Sequence, residues 1–268
     1  MGLIFYGQHW PWLLWIVAGL VAELAVYEYC GLANETGGDL PAWLPMGATA
    51  LFFGISYLYP FPEQQLLLLT LLAFIGFGIA LFRSPLERVL PSAAFCFFGL
   101  IYIAFPLTLL PLFGDRQDGA VLLLFLLVTV WAGDIAALYI GQRFGRFRLA
   151  PSISPNKTWE GSVGSMIGSV ACGYGVVYAT QMLHLYAMTT PSFSEPLWHW
   201  AVLAAIINVA AQLGDLLESA IKRGAGVKDS GKILPGHGGM LDRIDALLLA
   251  APALWYALLI RDYFIPGR

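Results

Sequence analysis

Residues 119–140 read GAVLLLFLLVTVWAGDIAALYI and contain a single charged side chain, that of Asp134. A helix needs about 20 mostly apolar residues to cross the hydrocarbon layer of a bilayer. A run of this length and composition therefore predicts a membrane-spanning α-helix. Its apolar residues are continuous and do not alternate with polar ones, as they would in a strand of a membrane barrel.

The rest of the chain has the same apolar character. Of its 268 residues, 59% are hydrophobic and 12% are charged, and the mean hydropathy is +0.72. A soluble domain carries about 25% charged residues, so a water-soluble fold is excluded. The formal net charge is −3, and we expect the lipid bilayer, not nucleic acid, as a partner.

Eight segments satisfy the same length criterion, and they predict an all-α, polytopic integral membrane helix bundle with eight to nine transmembrane helices. The first segment is too long, and lacks the basic start, for a cleavable signal peptide. Cys30, Cys96 and Cys172 fall in different segments without metal-ligand spacing, so we expect free, buried thiols. The eight segments cover about residues 10–32, 43–60, 64–82, 92–113, 119–140, 161–187, 198–221 and 242–264.

The basic residues indicate the orientation of the chain in the membrane. Eleven of the 14 lysines and arginines lie in alternate loops, and cytoplasmic loops retain positive charge. The loops around Asn156 and Ser230 are therefore expected to face the cytoplasm. Arg261 and Arg268 disagree with this orientation if there are eight spans, so the count could differ by one.

Several carboxylates lie inside the predicted spans, where such groups are costly and are normally retained for a pathway or a site. Asp215, Glu218 and Lys222 are three and four residues apart and therefore share one helix face. Asp242 and Asp245 do the same on the next helix, and a hairpin would bring the two helix ends together. Without a cluster of His or Cys, these oxygen ligands suit a hard cation such as Mg²⁺.

The loop between these two helix ends combines basic side chains with glycines. Lysine and arginine supply charge to phosphates, and glycine lets backbone N–H groups approach them closely. The same composition also fits an ordinary cytoplasmic loop, so composition alone leaves both interpretations open. The basic residues are Lys222, Arg223, Lys228, Lys232 and Arg243, and the glycines are Gly224, Gly226, Gly231, Gly236, Gly238 and Gly239.

The order of the residues favours the phosphate interpretation, because it resembles the signature of the phosphatidate cytidylyltransferase family. That signature matches Ser219, Lys222, Arg223, Lys228, Asp229, Gly231, Leu234, Pro235, His237, Gly238, Gly239, Met240, Asp242, Arg243, Ile244 and Asp245. Residues 154–161, SPNKTWEG, resemble a second loop of the family, and residues 134–145 resemble the element before it. Family members usually have a further N-terminal span, and this chain is expected to begin after it.

The resemblance implies an enzyme that joins CTP to phosphatidic acid, giving CDP-diacylglycerol and pyrophosphate, at the inner membrane with its site facing the cytoplasm. One transmembrane domain, residues 1–268, would hold N-terminal spans in 1–113 and a catalytic half in 119–264. Mg²⁺ or another divalent cation is expected on Asp215 and Asp242, with Asp245 supporting it or a second cation. Asp134 and Glu160 are expected either to join the metal or orient a lysine, or to form structural salt bridges. A homodimer is left open.

The resemblance also assigns the polar residues of the loops. Triphosphate contacts are expected from Lys157, Lys222, Arg223, Lys228 and Arg243, and Asp229 is placed with the catalytic residues. His237 is expected to contact phosphate or transfer a proton. Further substrate contacts are expected from Ser154, Asn156, Thr158, Glu160, Ser219, Gly238 and Gly239.

Two other functions fit part of the pattern. An ion-coupled transporter also uses intramembrane carboxylates, but the polar groups concentrate at one membrane face and inverted repeats are not visible. A CTP-dependent enzyme acting on another lipid phosphate or a polyprenol stays an alternative. Glu23 and Glu28 are interpreted as carboxylates that pair within the helix bundle.

Overall fold

The computed structural model describes residues 11–39, 41–60, 62–116, 118–187, 196–233, 235–236 and 238–264. These residues form eight helices, which confirms the predicted all-α bundle. The helices are α1 Pro11–Glu35, α2 Trp43–Leu58, α3 Pro62–Arg83, α4 Leu86–Gly114, α5 Gly119–Phe144, α6 Trp159–Ala187, α7 Leu197–Gly224 and α8 Leu241–Phe264.

Seven of these helices are long and apolar enough to cross a membrane. The exception within the described residues is α2, whose 16 residues extend about 24 Å at the rise of an α-helix. Helix α3 exposes 67% of Leu66, 70% of Leu67 and 70% of Phe74, an apolar surface that suits contact with lipid tails. The chain is therefore a multi-pass membrane protein.

Helix α4 begins six residues before the predicted segment. The prediction started after Pro91, whereas the helix starts at Leu86 and contains Pro91. Hydropathy detects the part of a helix that lies in hydrocarbon, and Glu87 and Arg88 lower the hydropathy of the first turn. The same helix contains a π-helical turn at Leu100–Ala104.

A short β-hairpin between α5 and α6 was not predicted. Strand β1, Arg148–Ala150, pairs antiparallel with β2, Ser154–Thr158. These strands are too short and polar to show an alternating hydrophobic pattern. The Trp159 N–H donates to the Phe147 carbonyl at 3.0 Å, and this bond joins the hairpin to the start of α6.

The described chain forms two compact units. The first unit consists of residues 113–217 and 246–264, and the second of residues 12–112 and 218–245. Helices α7 and α8 contribute residues to both. The predicted division into N-terminal spans (1–113) and a catalytic half (119–264) stays a prediction.

Each unit has its own apolar core. In the first unit, Gly164 and Gly168 of α6 face Ile140 and Ala136 of α5, and the small side chains allow the two helices to pack closely. The core of the second unit joins α2, α3 and α4 through Ala48, Phe52, Leu68, Leu69, Leu72, Leu100 and Ala104.

The three cysteines are free, as predicted, but only two are buried. Cys30 and Cys96 lie inside the second unit, whereas Cys172 is exposed on α6. The prediction of burial for Cys172 was wrong because a lipid-facing side chain is as apolar as one in the core, so hydropathy cannot separate the two.

Candidate active site

A polar cavity of about 580 Å³ lies beside the β-hairpin in the first unit, and we name it the hairpin cavity. Carboxylate, amide, hydroxyl and basic side chains all reach it, so it can accept a charged ligand. Its lining includes Asp134, Gln142, Arg148, Asn156, Lys157, Thr158, Ser162, Ser165, Gln212 and Asp215.

Five predicted site residues line the hairpin cavity, and three of them, Asp134, Lys157 and Asp215, carry ionisable side chains. Lys157 Nζ lies 2.6 Å from Asp215 Oδ2, and their side chains are 24% and 34% exposed. Asp134 lines the same cavity from α5. Two carboxylates and one ammonium therefore converge on a partly open space.

The hairpin fixes the direction in which the second motif points. Thr158 Oγ1 accepts a hydrogen bond from the Gly161 N–H at 3.1 Å, the geometry of a helix N-cap. The Glu160 carboxylate accepts from the Phe147 N–H at 3.3 Å, so Glu160 stabilises the loop and is absent from the cavity lining. Ser154 pairs with Ala150 in the hairpin.

A ladder of buried and partly buried hydrogen bonds runs from the hairpin cavity into the first unit. The Ser162 hydroxyl donates to Gln212 Oε1 at 2.5 Å, and Gln212 Nε2 donates to Asn208 Oδ1 at 2.6 Å. Asn208 Nδ2 reaches the hydroxyls of Ser165 at 2.7 Å and Ser169 at 2.8 Å. The ladder ties α6 to α7, the helix that carries Asp215.

We expect Asn208→Ala to lower the free energy of unfolding by about 1–2 kcal/mol, because it removes three hydrogen bonds of this buried ladder. Thermal denaturation in detergent measures the change. Thr180→Val is the matched control, since within the described residues the Thr180 hydroxyl bonds the Val176 carbonyl of its own helix and takes no part in the ladder. Equal melting temperatures for the two variants would contradict a stabilising role for the ladder.

A second polar cavity, of about 670 Å³, lies in the second unit along the loop at residues 225–240. We name it the signature-loop cavity. Three basic and two acidic side chains line it together with glycine backbone, which fits a polyphosphate. The lining residues are Lys222, Asp229, Gly231, Lys232, Pro235, Gly236, Gly238, Asp242 and Arg243.

Lys222 bridges two carboxylates beside this cavity. Its Nζ lies 2.6 Å from Glu218 Oε2 and 2.6 Å from Asp242 Oδ1. The Glu218 side chain is fully buried, and those of Lys222 and Asp242 are 12% and 11% exposed. Asp242 Oδ2 also accepts from the N–H groups of Ser230 at 3.0 Å and Gly239 at 2.8 Å. The ammonium is therefore held between two nearly buried carboxyl groups.

The other predicted residues of the signature lie around this cluster. The exposed Arg223 guanidinium donates to the Val227 carbonyl at 3.0 Å. Lys228 is exposed, and Lys228, Arg223, Ser219 and Asp245 are not among the residues that line the cavity. His237 and Leu234 lie outside the described residues.

Sequence reasoning missed the amides of the hydrogen-bond ladder. Asn208 and Gln212 are four residues apart in an otherwise apolar helix, and Gln212 lies three residues before Asp215. That spacing places all three side chains on one helix face. Polar side chains that recur at helical spacing within a span are the signal that could have identified them.

Carboxylates in the hairpin cavity are candidate ligands of a divalent cation. The described residues contain no group of three or more His, Cys, Asp or Glu side chains able to hold a metal ion. Mg²⁺ usually takes only one or two carboxylates and completes its coordination with water and substrate phosphates. Asp134 and Asp215 in the hairpin cavity fit that pattern. The positively charged Lys157 side chain lies beside them and pairs with Asp215.

Comparison with known proteins identifies relatives of the chain. A protein named phosphatidate cytidylyltransferase from Brucella suis is 42% identical over 158 residues, covering 59% of this chain and 54% of the relative. Its namesake from Thermotoga maritima is 39% identical over 192 residues, covering 71% and 67%. The Escherichia coli protein named "Uncharacterized protein YnbB" is 34% identical over 263 residues, covering 95% and 81%.

The individual relatives and the family model match different lengths of sequence. The alignment spans little more than half the length of the Brucella protein. A model of the cytidylyltransferase family, in contrast, matches residues 1–261, which include both polar cavities. The chain belongs to the cytidylyltransferase family.

Proposed function

We propose that the chain is a phosphatidate cytidylyltransferase of phospholipid biosynthesis, which converts CTP and phosphatidic acid into CDP-diacylglycerol and pyrophosphate. The names of the Brucella and Thermotoga relatives support this activity. The observation that carries the proposal is the signature-loop cavity, where Lys222, Lys232 and Arg243 surround glycine backbone. This combination suits the triphosphate of CTP.

In the proposed reaction, a phosphate oxygen of phosphatidate attacks the α-phosphorus of CTP. A new P–O bond forms while the bond to the leaving pyrophosphate breaks. A phosphate monoester carries roughly 1.5 to 2 negative charges at pH 7, so the nucleophile needs no strong base. Catalysis then depends on positioning the phosphates and neutralising their charge.

The basic side chains would divide that task between the two cavities. Lys222 and Arg243, with Lys232, would contact the triphosphate in the signature-loop cavity. Lys157 would contact a phosphate in the hairpin cavity, where Asn156 and Thr158 supply polar groups beside it. Exposed Lys228 and Arg223 would act mainly by attracting the anionic nucleotide to the loop.

A divalent cation such as Mg²⁺ is part of the proposal. Asp134 and Asp215 would hold it in the hairpin cavity. In the second unit, Asp242 is the candidate ligand for a divalent cation, with support from Asp245. Its Oδ1 pairs with Lys222 in the structure. When bound, the cation would neutralise phosphate charge as a Lewis acid.

Release of pyrophosphate by the purified chain in detergent tests the proposed function. Given CTP, Mg²⁺ and phosphatidate, the enzyme should form pyrophosphate and CDP-diacylglycerol in equal amounts. Parallel reactions with another lipid phosphate and with a polyprenyl phosphate identify the acceptor. Greater turnover with either of these acceptors would show that phosphatidate is not the preferred substrate. If no acceptor led to CTP consumption, the proposed enzyme activity would be wrong and the ion-coupled transporter would be the better interpretation.

We also propose a location in the bacterial inner membrane, with both cavities open to the cytoplasm, because the basic loops lie beside them. Cysteines introduced at exposed Ser152 and Ile233, in a variant lacking the three native cysteines, are expected to resist an impermeant thiol reagent in intact cells. They should react once the membrane is permeabilised. Labelling in intact cells would contradict this orientation.

A further inference from the structure

The Glu28 carboxylate lies beneath the signature loop in the second unit. Glu28 belongs to α1 and is only 5% exposed. Its Oε2 accepts from the Ser230 hydroxyl at 3.0 Å and from the Leu241 N–H at 2.9 Å, and its Oε1 accepts from the Met240 N–H at 3.0 Å. One buried carboxylate thus satisfies three donors more than 200 residues away in sequence.

Two of these donors belong to the start of α8. Leu241 is the first residue of that helix, and the first N–H groups of a helix have no partner within it. A carboxylate is favoured there both by direct hydrogen bonds and by the positive end of the helix dipole. The sequence analysis interpreted Glu28 as a carboxylate that pairs within the helix bundle. In the structure it also accepts hydrogen bonds from the signature loop and from the start of α8.

The loop is shaped around this carboxylate. A Cβ atom on Gly231 or Gly239 would overlap the Glu28 carboxylate, and one on Gly239 would also overlap the Ser230 hydroxyl. Glycine at these two positions allows the backbone to close around the anion. A loop so rich in glycine has high conformational entropy, so a fixed anchor matters for its structure.

The same loop residues connect Glu28 to the cluster around Lys222. Ser230 donates its hydroxyl to Glu28 and its N–H to Asp242 Oδ2. Gly239 donates its N–H to the same oxygen of Asp242, and the next residue, Met240, donates to Glu28. Movement of the loop away from Glu28 would therefore remove two donors from Asp242.

We propose that Glu28 is a positioning residue, which holds the glycine-rich loop closed so that Asp242 and the basic side chains of the signature-loop cavity face the nucleotide. The proposal rests on the proposed function for its kinetic consequence. Its structural consequence, an anchored loop, does not depend on the substrate.

Glu28→Gln tests the proposal at nearly constant size. Glutamine has a single acceptor oxygen, and its NH₂ group would face backbone or hydroxyl donors. We expect the KM for CTP to rise about tenfold or more, with a smaller change in kcat, because the lost bonds are charge-assisted. Limited trypsin digestion at exposed Lys228 and Lys232 should accelerate through local opening of the loop.

Two further variants test the length of the Glu28 side chain and the contribution of one of its donors. Glu28→Asp keeps the carboxylate on a shorter side chain, so we expect a KM and a cleavage rate between those of wild type and Glu28→Gln. Ser230→Ala removes one donor and should produce a smaller change in the same direction, which keeps the test decisive if Glu28→Gln fails to fold. Glu23→Gln is the matched control on α1 and should leave both measurements unchanged.

A purely structural role makes a different forecast. If Glu28→Gln and Ser230→Ala only lower the melting temperature, while the KM for CTP and the trypsin rate of the folded protein match wild type, the proposal is wrong. If the wild-type chain releases no pyrophosphate, the proposed function fails. The trypsin rates still decide whether Glu28 anchors the loop.

Discussion

Lys222→Met is expected to abolish measurable cytidylyl transfer and to lower the free energy of unfolding by about 3–5 kcal/mol. The substitution leaves Glu218 and Asp242 facing each other across the space that the ammonium fills, 2.6 Å from an oxygen of each. Burial prevents water from solvating the two carboxyl groups. Thermal denaturation and pyrophosphate release on the same purified protein measure both effects.

A second substitution distinguishes the structural and catalytic parts of this effect. Lys222→Met combined with Glu218→Gln removes one of the two buried carboxyl groups and should restore much of the stability, while activity stays lost because the phosphate contact is absent. Arg83→Ala is the control for loss of a basic residue, since Arg83 is exposed at the end of α3 and lies outside both motifs. Full activity in the stabilised double variant would show that Lys222 serves only the fold.

Asp215→Asn is expected to reduce turnover by more than about a hundredfold while stability changes little. Asparagine keeps the size of the side chain but removes the anionic oxygen proposed to hold the divalent cation. The ion pair that Asp215 forms with Lys157 in the wild-type chain is partly exposed, and such pairs contribute about 0–1 kcal/mol to stability. Pyrophosphate release across a Mg²⁺ titration, together with the melting temperature, tests the prediction.

Asp262→Asn is the control for this experiment. Asp262 lies in the same unit, and its side chain is 45% exposed and paired with Arg261 at 2.7 Å. Its loss should leave both the turnover and the Mg²⁺ requirement unchanged. If Asp215→Asn melts early but keeps wild-type turnover and metal dependence per folded molecule, Asp215 belongs to a structural ion pair and the metal assignment is wrong.

Much of the fold could be predicted from sequence because a membrane imposes a simple rule. Backbone groups in hydrocarbon must be satisfied internally, so apolar runs of sufficient length become helices. The same rule predicted neither the Arg148–Thr158 hairpin nor the start of α4 at Leu86, since polar segments outside the hydrocarbon are free of it. The motif order predicted Asp134, Lys157, Lys222 and Asp242 as site residues, whereas only the structure divides them between two cavities, with the first two in one and the last two in the other.

By itself, the sequence determined the helical membrane fold, the family resemblance and the residue types of the candidate site. The tertiary structure decided which of those residues meet. Glu28 and Ser230 are separated by 202 positions, and no local pattern connects an intramembrane carboxylate to one particular loop. The contact of Lys222 with both Glu218 and Asp242 likewise needs the end of α7 and the start of α8 to lie within hydrogen-bonding distance. Hydropathy and spacing describe one helix at a time, whereas a buried charge is stabilised by whichever donors the folded chain brings to it.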